Sequence, residues 1–264
     1  MGIAAIIEAR PRDLGGFTVG RVLPAPTRRH VGPFLFLDHM GPVVHAPGQG
    51  MDVRPHPHIG LATVTYLFEG EIHHRDSLGM SEVIRPGEVN WMTAGRGIVH
   101  SERTPPEMRA RGQKVHGLQL WCSLPAEHEE TEPSFQHYGL SDLKSVELEG
   151  GTARVVVGSA FGATSDVRTL VPTWLVDLEL EVGARLTVPA DYAERAAYVV
   201  EGEVDVEGDA LGERKLGLFA IDREAELCAT TKSRVVLLGG ATPDGPRHIE
   251  WNFVSSSQGR IEQA

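Results

Sequence analysis

A chain of 264 residues accommodates one large all-β domain or two domains of about 100 to 150 residues, either with a real core. Its 41% hydrophobic and 23% charged residues are those of an ordered globular protein, and a formal net charge of -11 excludes a general affinity for nucleic acid, which needs clustered Lys and Arg to release phosphate counterions. No run approaches the roughly 20 apolar residues that cross a bilayer as a helix, and Met1 to Arg12 lacks a basic segment followed by an apolar one, so a cytoplasmic protein with no membrane association is expected.

Short apolar stretches alternate with turn residues along the chain: Thr63 to Phe68 before Glu69-Gly70, Ser81 to Ile84 before Pro86-Gly87, Asn90 to Thr93 before Ala94-Gly95. That rhythm predicts strands of a sandwich or barrel, with 30 Gly and 17 Pro supplying the turns. Helical periodicity is scarce; Leu140 to Leu148, capped by Ser141, and the polar tail after Ser257 are the predicted short helices. The cysteines, Cys122 and Cys228, lie far apart in apolar segments and are expected as buried, reduced thiols.

Tyr66-Leu67-Phe68-Glu69-Gly70-Glu71-Ile72 returns as Tyr198-Val199-Val200-Glu201-Gly202-Glu203-Val204, half a chain length later. A strand, a Glu-Gly turn and a second strand recurring at that distance predict two similar β-barrels, residues 1–125 and 151–264, joined by 126–150 with the acidic run Pro125 to Pro133.

Side chains two apart on a strand share a face, so His56 and His58 project together, and His100 and Glu102 do likewise. Two such pairs on strands brought together by a barrel place three imidazoles and a carboxylate around one inward point. Pro55 and Pro57 donate no backbone hydrogen bond, which confines their strand to an edge or a rim and stiffens it. The set suits one divalent Fe, Mn, Ni, Cu or Zn ion and lacks the thiolates of a closed structural zinc site. Adjacent His73 and His74 point to opposite faces and are expected to be mainly structural.

The run from His56-Pro57-His58 through Asp76-Ser77 to Asn90-Trp91-Met92-Thr93-Ala94-Gly95-Arg96-Gly97-Ile98-Val99-His100-Ser101-Glu102 resembles the pirin family of bicupins, supported by Gly32-Pro33-Phe34-Leu35-Phe36-Leu37-Asp38-His39 and Gly117-Leu118-Gln119-Leu120-Trp121. The resemblance is strong over residues 20 to 125, and Trp251 to Ser257 looks like a bacterial subgroup. It implies two cupin barrels packed face to face, the first holding Fe(II) on His56, His58, His100 and Glu102, the second without metal, since Val188 and Ala190 stand where the repeat offset places its histidines. It further implies oxygen-dependent opening of a flavonol-like or other aromatic, enolisable substrate, with Glu102 as the catalytic proton acceptor. The alternative it implies is a non-enzymatic, iron-dependent redox sensor that binds a protein partner. Phe36, Met40, Met92 and Gln119 are candidate pocket residues, with an ordinary core role of equal weight for each. Ala62 and Ile59 depart from the residues common at their places and are expected to change the polarity near the site.

Overall fold

The structure, a computed structural model, describes residues 2–14 and 17–264. The described residues fold almost entirely as strands, with short α-helices at Pro106–Arg111 and Gln258–Gln263, and they divide into two compact units. The first gathers Pro11–Arg21, Leu35–Leu140 and Pro243–Ala264; the second gathers Met1–Arg10, Val22–Phe34 and Ser141–Thr242.

Each unit is a jelly-roll-like barrel of a seven-stranded and a four-stranded sheet. In the first, the large sheet runs in the order Ser134–Tyr138, Val89–Thr93, Leu61–Glu69, Gln113–Ser123, Phe34–His45, Thr18–Leu23, Arg10–Asp13, and the small one in the order Asp52–His58, Ile98–Arg103, Ile72–Asp76, Ser81–Ile84. In the second, the large sheet has Ile3–Glu8, Lys215–Phe219, Glu194–Glu201 and Ser233–Gly240 at one side and Thr173–Leu180, Gly151–Val157 and Lys144–Leu148 at the other.

The repeated Glu-Gly turn is where the chain leaves a large sheet for a small one. Gly70 (φ +83°) and Gly202 (φ +82°) hold the left-handed conformation, and a Cβ at either would run into a backbone carbonyl, that of Lys114 or of Lys232. Only glycine fits both demands.

Inward residues of Leu61–Glu69 alternate with outward ones, and read Leu61, Thr63, Thr65, Leu67: apolar ends around a polar middle. Leu61 packs with Met92, Ile98 and Trp121, and Leu67 with Val19, Met40 and Ile72. Thr65 lies directly opposite Gln119 on the neighbouring strand. The barrel core is therefore two apolar clusters with polar residues between them.

Three expectations need correction. Lys144–Leu148 is a strand, not a helix: Gly150 (φ +83°) turns the chain so that Lys144 pairs with Val155 and Leu148 with Gly151, and nine residues are too few for helix propensity to compete with that ladder. The same strand and Ser134–Tyr138, which pairs with Val89–Thr93, occupy much of the segment expected as a connection. Cys228 is only half-buried, whereas Cys122 is buried and its thiol pKa is pushed well up by burial; both are free. The predicted C-terminal helix forms at Gln258–Gln263, with Ser257 Oγ accepting from the Arg260 N–H. No helix among the described residues is long and apolar enough to cross a membrane.

Candidate metal centre

The strand Asp52–His58 is the edge of its small sheet, as Pro55 and Pro57 require, and pairs antiparallel with Ile98–Arg103 so that His56 stands directly opposite His100. His58 follows on the same face. Between the His56–His100 and Val53–Glu102 pairs the register shifts by a bulge, three residues of Asp52–His58 spanning two of its partner, so Glu102 keeps the face of His100 and stands opposite Val53.

The ligand atoms of His56, His58 and His100 lie within 4.8 Å of one another. Each ring is tied at Nδ1. His56 Nδ1–H donates to the Arg54 carbonyl (2.8 Å) and His58 Nδ1–H to the Asn252 carbonyl (3.0 Å). His100 Nδ1 meets His74 Nδ1 at 3.3 Å, and His74 Nε2–H donates to Asp76 Oδ2 at 3.0 Å. A carboxylate only accepts, so the His74 proton sits on Nε2, its Nδ1 is the acceptor, and the His100 proton sits on Nδ1. All three rings thus turn a bare Nε2 inward.

Burial, then the neighbouring His56, pushes the His58 pKa down to about 3 against the carbonyl of Asn252; burial, then His58, His56 and His74, pushes that of His100 well below its ordinary range. His58 and His100 are therefore neutral at pH 7, the form that binds metal. His58 Nε2 and His100 Nε2 face each other at 3.1 Å with no proton between them. Two ligands at right angles around a metal with bonds near 2.1 Å stand about 3.0 Å apart, so the pair fits a shared cation.

Glu102 is buried and lines the same cavity, but its Oε1 accepts from Thr65 Oγ1 (3.0 Å) and it stands outside the histidine triad. Thr65 Oγ1 also contacts Gln119 Oε1 (3.1 Å); a hydroxyl has one proton, so both contacts are satisfied when the Gln119 amide turns its NH2 to Thr65.

The centre opens on a cavity of about 1090 Å³. On its wall Phe36 stacks on Trp121 (4.1 Å, 12°), the Trp121 ring meets His58 edge-on (5.1 Å), and the Arg21 guanidinium lies over Phe36 (4.2 Å). Of the expected pocket residues, Phe36, Met40 and Gln119 line the cavity, while Met92 belongs to the apolar cluster around Leu61. Ala62 is fully buried on the face of its strand opposite Thr65, and Ile59 lies outside the cavity lining, so neither departure reaches the centre's cavity.

His74, Asp76 and Asn252 are the functional residues that sequence reasoning passed over. Only one of the adjacent histidines faces the site: His73 is half-buried against Ser81 (2.9 Å), while His74 stacks on Phe135 (4.4 Å) beneath His100. The period of two in His74-x-Asp76, the same signal that marks His56-x-His58, was available to find them.

The pirin family profile matches residues 16–122, and the profile of the pirin C-terminal cupin domain matches residues 175–264. The chain belongs to the pirin family. A pirin-like protein of Caulobacter vibrioides is 54% identical to this pirin over 265 residues, 99% of this chain and 91% of that one. Two crystal structures of quercetin 2,3-dioxygenase from Acinetobacter baumannii are also similar to it. One is 35% identical with a TM-score of 0.91, covering 98% of this chain and 86% of that one; the other is 28% identical with a TM-score of 0.93, covering 99% and 94%.

Proposed function

We propose that this pirin is an oxygen-dependent dioxygenase that opens the ring of a flavonol-like substrate at one divalent metal ion, Fe(II), held by His56, His58, His100 and Glu102. The observation that carries this reading is the convergence of three imidazoles, each tied at Nδ1 with Nε2 inward, beside a buried carboxylate at the head of an aromatic-walled cavity. The likeness to the Acinetobacter baumannii quercetin 2,3-dioxygenase supports the substrate class.

A divalent metal, when bound, supplies Lewis acidity that lowers the pKa of a substrate hydroxyl. The chain's own residues do the rest. Phe36 and Trp121 give the cavity an aromatic wall beside the substrate ring, and the Glu102 carboxylate, steadied at Oε1 by Thr65, takes the hydroxyl proton. The resulting enolate supplies the electrons that reduce dioxygen, and both oxygen atoms enter the products as ring bonds break.

Protein purified without added metal is expected to contain iron and to consume quercetin under air but not under nitrogen. His100→Ala is expected to lose both the metal and the activity. Metal-replete protein that leaves quercetin intact under air would overturn the dioxygenase reading and favour the iron-dependent regulator.

A further inference from the structure

Four arginines line the cavity in front of the histidines: Arg12, Arg21, Arg54 and Arg103. Arg21 is committed, its Nε and Nη2 donating to the Asp38 carboxylate at 2.6 and 2.8 Å. Of the other lining carboxylates, Asp52 accepts from Arg109 Nη2 at 2.7 and 2.8 Å, Glu102 faces Thr65, and Asp13 has a contact of its own. Among the described residues, the guanidinium groups of Arg12, Arg54 and Arg103 join no ion pair or hydrogen bond. Arg12 also acts electrostatically on the Asp38 carboxylate that Arg21 binds, while Arg54 and Arg103 bring two unpartnered cations to a molecule of net charge -11, and a cavity with low-dielectric walls focuses their field on whatever enters.

Their placement relative to the metal centre is set by the strand. Arg54 precedes His56 by two residues on the edge strand, within the bulge that separates the His56–His100 and Val53–Glu102 pairs, and its carbonyl accepts from the His56 ring at 2.8 Å, so it stands next to the centre at the cavity mouth. Trp251 lines the same cavity, is 64% exposed, and is held at φ +51°, a conformation a bulky residue rarely adopts; the next residue, Asn252, is the one whose carbonyl holds His58. The Trp251 ring meets Phe253 edge-on at 5.3 Å on the rim of the cavity.

The geometry points to a substrate that is an aromatic anion: a planar ring whose hydroxyl oxygens face the histidine triad and whose carboxylate, about one ring length away, is held by Arg12, Arg54 and Arg103, with Trp251 covering the ring. This deepens the metal-centre reading and rests on it, but requires no turnover.

The test is equilibrium binding of 3,4-dihydroxybenzoate and of its methyl ester to metal-loaded protein under nitrogen. Both carry the same diol and only the acid carries a carboxylate; the ester group withdraws electrons more strongly and makes its diol the more acidic, which works against the preference expected for the acid. The acid is expected to bind about tenfold more tightly at low salt, with the advantage shrinking as salt is added. It should also shrink in Arg54→Gln and vanish in Arg12→Gln/Arg54→Gln/Arg103→Gln, while Trp251→Ala weakens acid and ester alike. An ester that binds as tightly as the acid, or an acid preference that survives in the folded, metal-loaded triple variant, would overturn the inference and leave the dioxygenase reading intact. If neither compound binds, the inference fails, and oxygen-dependent loss of quercetin decides the dioxygenase reading on its own. Binding of the acid without oxygen-dependent loss of quercetin would sink the dioxygenase reading alone.

Discussion

The ring of His74 is clamped between His100 and Asp76, and the Asp76 carboxylate is itself fixed by the Leu78 and Met80 N–H groups at 2.9 and 3.1 Å. Such a partner sets the orientation and tautomer of a ligand without touching the metal, and its loss typically weakens metal binding about 10- to 100-fold. His74→Ala should therefore weaken metal binding by about that factor in competition with a chelator, with the fold retained, whereas His73→Ala should leave it unchanged. Equal metal affinity in both variants would show that the clamp is idle. The three ligand histidines were legible in the sequence because a strand's period of two is local. The partners were not: His58 is held by a main-chain carbonyl, which has no side-chain signature, and Arg21 meets Asp38 only through the register of two strands.

Among the elements, the turns carried more information than the strands they join. The repeated Glu-Gly pair marked both passages between sheets because left-handed φ and a close carbonyl leave no alternative to glycine. Gly70→Ala or Gly202→Ala should each destabilise its barrel by about 2 to 3 kcal/mol in denaturant unfolding. A loss within about 0.5 kcal/mol, as at an ordinary surface position, would mean that the turn relaxes. The strand Lys144–Leu148 shows the opposite case. Its composition suits a short helix, and only the ladder with Gly151–Val157, formed once the chain turns at Gly150, decides for a strand. The bulge after His100 was likewise invisible, since it depends on how two strands align.

For the molecule as a whole, the barrel pair was readable from the repeat, but the assignment of chain ends was not. Ile3–Glu8 pairs with Lys215–Phe219, and Val254 N–H donates to the Ile59 carbonyl at 3.2 Å, pairings that no local pattern announces. The long-range contacts of the second unit also make its stability depend on pH. Burial alone would raise the Glu194 carboxyl, but His30 Nδ1 at 3.4 Å, the Gly32 N–H at 3.0 Å and Arg28 Nη2 at 2.5 Å outweigh it and hold its pKa at about 2 instead of 4.5. A carboxylate more acidic folded than unfolded adds stability above its unfolded pKa, and that stability is lost as pH falls through the folded one. Glu194→Gln should thus melt lower than the parent at pH 6, and the gap should close between pH 4.5 and 2. A gap independent of pH would assign the loss to packing.

The hydrogen bond from His58 to Asn252 joins residues 194 positions apart. On the ribosome, His56, His58 and His100 emerge long before the carbonyl that orients the second of them, and the closing strand Phe253–Ser255 is made later still. The finished centre can form only once both ends of that span have been made, so a metal ion that needs His58 in its bound orientation is taken up after Asn252 has emerged, not while the histidines are being synthesised.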